Sequence, residues 1–118
     1  MILVDTSIWV NHFRRKNIQL EELLSHEAVY CHPLIIGELA CGNLHHRNEI
    51  LDLLSELPTA VIVTDQEALA FIEQHQIMCK GLGMVDVLLL AATVVSNLKV
   101  LTDDKVMKQV AIKLEILY

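Results

Sequence analysis

Met1-Ile2-Leu3-Val4-Asp5-Thr6-Ser7 is the stretch on which the reading of this chain turns. Ile2, Leu3 and Val4 form a short apolar, partly β-branched run, the composition of a buried strand. It stops at Asp5-Thr6-Ser7, three short polar side chains, and an apolar-periodic segment with Ile8, Trp9 and Phe13 follows. In α/β proteins the groups at the carboxyl end of a parallel strand face the crevice where ligands bind. If the sheet is parallel, Asp5 stands at the mouth of a site. The plainer alternative is that Asp5 or Thr6 caps the next helix. Three later segments, however, carry acidic residues to similar places.

Ile8 to Phe13 predicts a short helix, and Leu20, Leu23 and Leu24 mark a second. Ala28 to Cys31 is a strand candidate. His32-Pro33 opens a helix through Gly42, because proline is well tolerated in a first turn. That helix is apolar nearly all round and is expected to be buried, with Glu38 its only charge. A carboxylate on a buried helix has to be paired, protonated or bound to a cation. Arg47 to Leu57 reads as an amphipathic helix with Ile50, Leu51, Leu53, Leu54 and Leu57 inward, ended by Pro58. Val61-Ile62-Val63 reads as a strand. Thr64 to Glu67 has the form of a capping box that starts a helix through about Gln74, so Asp65 and Glu67 are structural there.

Met78 to Gly83 is the one flexible-looking connection. A second apolar helix, Val85 to Val95, has Asp86 in its first turn as its only charge. Stabilisation of the helix N-terminus could account for Asp86; a site accounts better for a carboxylate leading so apolar a helix. Val100-Leu101 is a further strand, stopping at Thr102-Asp103-Asp104. A helix from Lys105 to about Lys113 and a final strand, Leu114 to Leu117, complete the pattern. Strands alternating with helices predict an α/β fold, a parallel sheet with helices on both faces.

Composition narrows the class. At 118 residues the chain is one domain, 1–118, long enough for a real core. Hydrophobic content of 53% and a mean hydropathy of +0.44 suggest a doubly covered sheet or an apolar surface kept for a partner. The longest apolar run, Val87 to Ala92, falls far short of the ~20 residues that span a bilayer, so no membrane association is expected. No export signal is evident. Three cysteines (Cys31, Cys41, Cys79) without metal-type spacing fit reduced, mostly buried thiols in a cytoplasmic protein. A net charge of −6 argues against a generic nucleic-acid coat. It leaves room for a nuclease whose negative charge is gathered around cations. The one basic run is Arg14-Arg15-Lys16, a solvated helix end or a set of phosphate contacts.

Four carboxylates stand out: Asp5 and Asp104 after strands, Glu38 and Asp86 on apolar helices. Like charges brought together raise each other's pKa and repel. Divalent cations are the natural compensation, and oxygen-only ligands favour Mg²⁺ or Mn²⁺ over zinc. Such an ion polarises a phosphoryl oxygen and generates hydroxide from water. Phosphodiester hydrolysis uses this arrangement most directly. No rival centre emerges: His45 and His46 are adjacent and point apart, and no nucleophile-elbow glycines surround Ser7. Gly81-Leu82-Gly83 is too short for a phosphate loop.

Val-Asp-Thr-Ser at Val4–Ser7 with Trp9 close behind, HPLIIGELACGNL at His32–Leu44, Leu57-Pro58, GLGMVDVLLLAAT at Gly81–Thr93 and Thr102-Asp103-Asp104 together resemble a VapC-type PIN domain. The order and spacing agree over essentially the whole chain. The resemblance implies a three-layer α/β/α PIN-like fold with a central, mostly parallel sheet. It implies a Mg²⁺- or Mn²⁺-dependent endoribonuclease, the toxin of a bacterial type II toxin–antitoxin pair. The partners it implies are an RNA substrate, a VapB-like antitoxin, a second copy in a homodimer, and operator DNA through the antitoxin alone. Carried over by position, Asp5, Asp86 and Asp104 would be the main metal ligands, directly or through water. Glu38 would complete the pocket and orient the attacking water, and Thr102 and Ser7 would hydrogen-bond the carboxylates.

One departure stands in the last motif. Relatives often carry a basic residue between its threonine and aspartate, where this chain has Asp103. That leaves Lys105 as the nearby cation, with Arg14 and Arg15 the other candidate RNA contacts. Alternatively Asp103 reaches the metal itself. The leading reading is therefore a PIN ribonuclease, and the alternative a catalytically weak PIN-fold binding module that pairs with an antitoxin-like partner. A phosphoacceptor receiver domain would need an acidic pair after the first strand, where only Asp5 stands.

Overall fold

The computed structural model describes residues 1–118. Three strands carry the fold: β1 (Ile2–Val4), β2 (Val29–Tyr30) and β3 (Lys99–Leu101). They form a wholly parallel sheet in the order β2-β1-β3. Seven helices surround it: α1 (Thr6–Arg14), α2 (Ile18–Ser25), α3 (Pro33–Ala40), α4 (Arg47–Ser55), α5 (Asp65–His75), α6 (Met84–Val95) and α7 (Lys105–Lys113). All three residues of β1 are buried, so both faces of the sheet are covered, as the expected three-layer arrangement requires. The connection leaving β1 leads to β2 on one side, whereas β3 pairs on the other. The strand order therefore reverses between β1 and β3, and their carboxyl ends define the crevice that α/β sheets use for ligands.

Where local pattern is strong, the elements form as expected. Helix α6 buries Val87, Leu89, Leu90, Ala91, Ala92 and Thr93, nearly its whole circumference. The Thr93 hydroxyl donates back to the Leu89 carbonyl, which satisfies the one polar group on that face. Helix α5 opens with the capping box: Thr64 accepts from the Glu67 N–H, and Glu67 accepts from the Thr64 N–H, both at 3.1 Å.

Four expectations need correcting. Val61-Ile62-Val63 forms no strand. The edge pairing is a single bridge between Cys31 and Thr59, after which the chain peels away. Val61 gives its N–H to the Ser96 hydroxyl, and Val61 and Ile62 are exposed. The final strand shrinks to one parallel bridge, Leu117 with Val100, because Leu114 still closes α7 and Glu115 turns left-handed at φ 60°. Leu53 faces solvent at 60% exposure, and Leu54 is the buried residue of α4. Of the cysteines only Cys31 is buried; Cys41 and Cys79 are exposed, and all three are free thiols.

Helix α3 also differs from its sequence pattern. It buries Ile35 and Leu39, while Gly37 and Glu38 lie on the open side. Its cap is His32, whose Nδ1 accepts from the Leu34 N–H at 3.0 Å. That bond needs an unprotonated Nδ1, and burial holds the imidazole pKa below its ordinary 6.5. The unfolded chain therefore takes up the proton first as pH falls, and stability is lost below about pH 6.5. An asparagine side chain at this position would keep a capping oxygen and carry no proton. We expect His32→Asn to flatten the fall in unfolding midpoint between pH 7 and 5; an unchanged slope would show that another group governs it.

Gly37 needs no special backbone conformation, and a Cβ there would meet nothing within 4 Å. Gly37→Ala is expected to stabilise the fold by about 0.4–1 kcal/mol, read by denaturant unfolding. A loss of stability would mean that the open side of α3 is more crowded than the geometry shows.

Candidate active site at the carboxyl ends of β1 and β3

Asp5 leaves β1 as the residue before α1, its backbone N–H bonded to the Leu101 carbonyl of β3. Although it occupies the cap position of α1, its side chain caps nothing. The capping alternative therefore fails. The carboxylate is buried and its Oδ2 accepts two hydroxyls, Ser7 Oγ at 2.9 Å and Thr102 Oγ1 at 2.8 Å. Each hydroxyl in turn accepts a backbone N–H from the turn after β3: Asp103 to Ser7 at 3.0 Å, Asp104 to Thr102 at 3.0 Å. Ser7 and Thr102 thus tie the end of β1 to the end of β3 and aim Asp5 between them.

The other acids are fixed in the same manner, each by one oxygen. Glu38 Oε1 accepts from the Thr6 hydroxyl at 2.8 Å. Asp104 Oδ1 accepts from the Met107 N–H at 2.8 Å and caps α7. Asp86 Oδ2 reaches back to the Gly83 N–H at 3.4 Å, a weak bond. In all four carboxylates the second oxygen is left without a protein donor.

The electrostatics tie the four together. The Asp86 carboxyl is raised above the ordinary 3.8, first by burial and then by the charges of Asp104, Asp5 and Glu38; the Gly83 N–H opposes the rise. No cation of the protein relieves them. The two ion pairs of the structure, Lys16–Glu21 at 3.3 Å and His46–Glu49 at 3.9 Å, involve none of the four. Lys105, exposed, opens α7 directly after Asp104, and Arg14 and Arg15 end α1 in solvent.

Asp103 is exposed, and its Oδ2 accepts from the Asn11 amide at 2.8 Å. The side chain is thereby held against α1. Asn11 and Thr6 are contributors that sequence reasoning misses. The available signal is periodicity: Ser7 and Asn11 lie one helical turn apart on the same face of α1.

No set of three or more histidine, cysteine or acidic side chains is drawn together closely enough to hold a metal ion. The donors nonetheless suit a hard cation. They are all oxygens, one free on each carboxylate, and Mg²⁺ keeps several of its waters while using one or two carboxylates directly. Zinc would want nitrogen or sulfur, which the cluster lacks.

Comparison with known proteins identifies the family. Residues 2–113 match the family described as PIN domain. The chain is also 41% identical to the ribonuclease VapC32 of Mycobacterium tuberculosis over 109 residues, 92% of this chain and 88% of the relative. The same match is found in the strains CDC 1551 / Oshkosh and ATCC 25618 / H37Rv.

Proposed function

Because the chain belongs to the PIN-domain family, in its VapC ribonuclease branch, we propose that it is a divalent-metal-dependent endoribonuclease that cuts RNA at the Asp5–Glu38–Asp86–Asp104 pocket. The observation that carries this reading is the uncompensated cluster: Asp86 is pushed up by burial and then by three other carboxylates, and no lysine or arginine pairs with any of them. Bound Mg²⁺ or Mn²⁺ would supply Lewis-acid polarisation of the phosphate and a hydroxide-like water at neutral pH.

The residues divide the remaining work. Asp5, Asp86 and Asp104 would hold the ion through their free oxygens. Ser7 and Thr102 hold Asp5 in one orientation, as hydroxyl donors outside the ligand set do in other metal sites. Glu38, exposed and gripped by Thr6, accepts a proton from the attacking water through its other oxygen. Asp103 serves the frame through Asn11. Lys105 and the Arg14-Arg15 pair meet RNA phosphates. In this reading the protein is a cytoplasmic toxin, restrained by a VapB-like antitoxin that also supplies the operator contacts, and it works as a homodimer. No helix is long and apolar enough to cross a membrane.

Growth after induced expression tests it. Wild-type protein should arrest growth, Asp5→Asn should not, and co-expression of a VapB-like antitoxin should relieve the arrest. Cleavage and arrest by Asp5→Asn equal to wild type would end this reading. A Mn²⁺ titration of the unfolding midpoint separates the enzyme from a binding module without activity. A metal site gains stability with RT ln(1 + [L]/Kd), and an inert module shows no such rise.

A further inference from the structure

Beside Glu38 a groove of about 590 Å³ runs between the last turn of α1 and the loop that joins α3 to α4. Its walls carry Phe13, Arg14, Asn43, His45 and His46 together with Glu38 itself. We infer that this groove holds single-stranded RNA flanking the scissile phosphate, with Arg14 on a backbone phosphate and Phe13, Asn43 and His45 on a base. The inference rests on the nuclease reading of the adjoining pocket.

Continuity comes first. Glu38 lines the groove and is also one of the four carboxylates, and Thr6, which grips it, begins the helix whose other end bears Arg14. From Thr6 to Arg14 is two turns, about 12 Å along α1. A strand leaving the carboxylates along α1 therefore meets Arg14 within a few nucleotides.

Charge is the second argument. In a protein of net charge −6, cations close to the acids are scarce. Lys16 is engaged by Glu21, Lys99 by the Glu115 carbonyl and Lys113 by the Gln76 carbonyl. Arg14 is exposed, has no carboxylate partner, and does not pair with Glu38 across the groove. Its five donors suit a phosphate.

Shape and chemistry are the third. The volume lies within the roughly 300–1,000 Å³ of small-ligand pockets, the scale of a nucleotide unit rather than a duplex. An aromatic ring, an amide and imidazoles beside an arginine are the groups that stack on unpaired bases and bond their edges. His46 adds a local peculiarity. It precedes α4 in a left-handed conformation, φ 54°, and its imidazole lies 3.9 Å from Glu49 in the first turn of that helix.

The test uses the full-length protein carrying Asp86→Asn and a fluorescein-labelled single-stranded RNA of mixed sequence. Added Arg14→Ala should weaken binding about tenfold and lower the salt slope by about 0.7. Arg14→Lys should restore the slope. His45→Ala should weaken binding at least about fivefold without changing the slope. Lys113→Ala, at the far end of α7, should leave both alone. In the otherwise wild-type enzyme, Arg14→Ala and His45→Ala should raise KM more than they lower kcat. Binding and KM unchanged in both variants, in a protein that cleaves RNA, would overturn the groove and leave the nuclease. Equal affinity for duplex RNA would overturn it as well. Absence of any cleavage by wild type, with binding still dependent on Arg14, would overturn the nuclease reading and keep the groove as an RNA site.

Discussion

Asp86→Asn is expected to lower RNA cleavage at least about 100-fold and, in the same protein, to raise the unfolding midpoint measured without metal at pH 7. The two effects have one origin. Burial and the charges of Asp104, Asp5 and Glu38 hold the Asp86 carboxyl above 3.8. Between 3.8 and that raised value the folded protein keeps a proton that the unfolded chain has released, so stability falls as pH rises through the window. Above that window the whole of that loss is present. Asparagine has no charge to lose, and its amide oxygen still meets the Gly83 N–H.

Asp86 is only half-buried, so solvent screening keeps the gain to about 0.5 kcal/mol, or about 2 °C. Excess Mn²⁺ should reverse the order, because wild type gains binding energy through the free carboxylate oxygen and the variant gains less. Thermal unfolding with and without Mn²⁺, beside a cleavage assay, reads all of this. Cleavage at the wild-type level would remove Asp86 from the site. Lost cleavage with a lowered metal-free midpoint would show that its charge is not the source of strain.

Thr102→Val is expected to have the largest cost to stability outside the apolar core. Thr102 is buried, donates to Asp5 Oδ2 and accepts the Asp104 N–H. Valine fills the same space without the hydroxyl. It leaves the partly buried Asp104 N–H unpaired and removes one of the two bonds that hold the buried Asp5. A buried polar group left without its partner costs about 1–3 kcal/mol, here a fall in midpoint of roughly 5–15 °C. Cleavage should drop about 10- to 100-fold, the range for groups that orient metal ligands.

Thr102→Ser separates the two roles. It keeps the hydroxyl and gives up a methyl group, so it should lose some stability and keep near-normal cleavage. If serine were as inactive as valine, packing rather than the bond to Asp5 would be the function of Thr102. Ser7→Ala should act in the same direction more weakly, since Ser7 is less buried than Thr102.

The site lies at the junction of segments far apart in the chain, and the sequence reveals each segment without revealing the junction. Asp5 and Asp104 are legible because each follows an apolar run at a polar stop. Asp86 is legible as a lone charge on a helix that is indeed buried nearly all round. Glu38 stands out in the sequence for the wrong reason. Its surroundings in the chain mark it as a buried charge, and it lies instead on the open side of α3, held by Thr6. Asp103, by sequence a missing phosphate contact or an extra ligand, is bound to Asn11. A side chain's partner across 92 positions is invisible to any local pattern.

The amino-acid sequence alone determined the alternation of strands and helices, the parallel sheet, the capping box of α5 and the family to which the chain belongs. These follow from short-range rules: side-chain periodicity, proline and glycine placement, and the polar stops at strand ends. Tertiary structure alone decided which face of α3 and α4 meets solvent and whether residues 61–63 join the sheet. It also decided that Ser7 and Thr102 share one carboxylate oxygen. Exposure and pairing depend on what the rest of the fold places alongside, and only the packed chain supplies that neighbour.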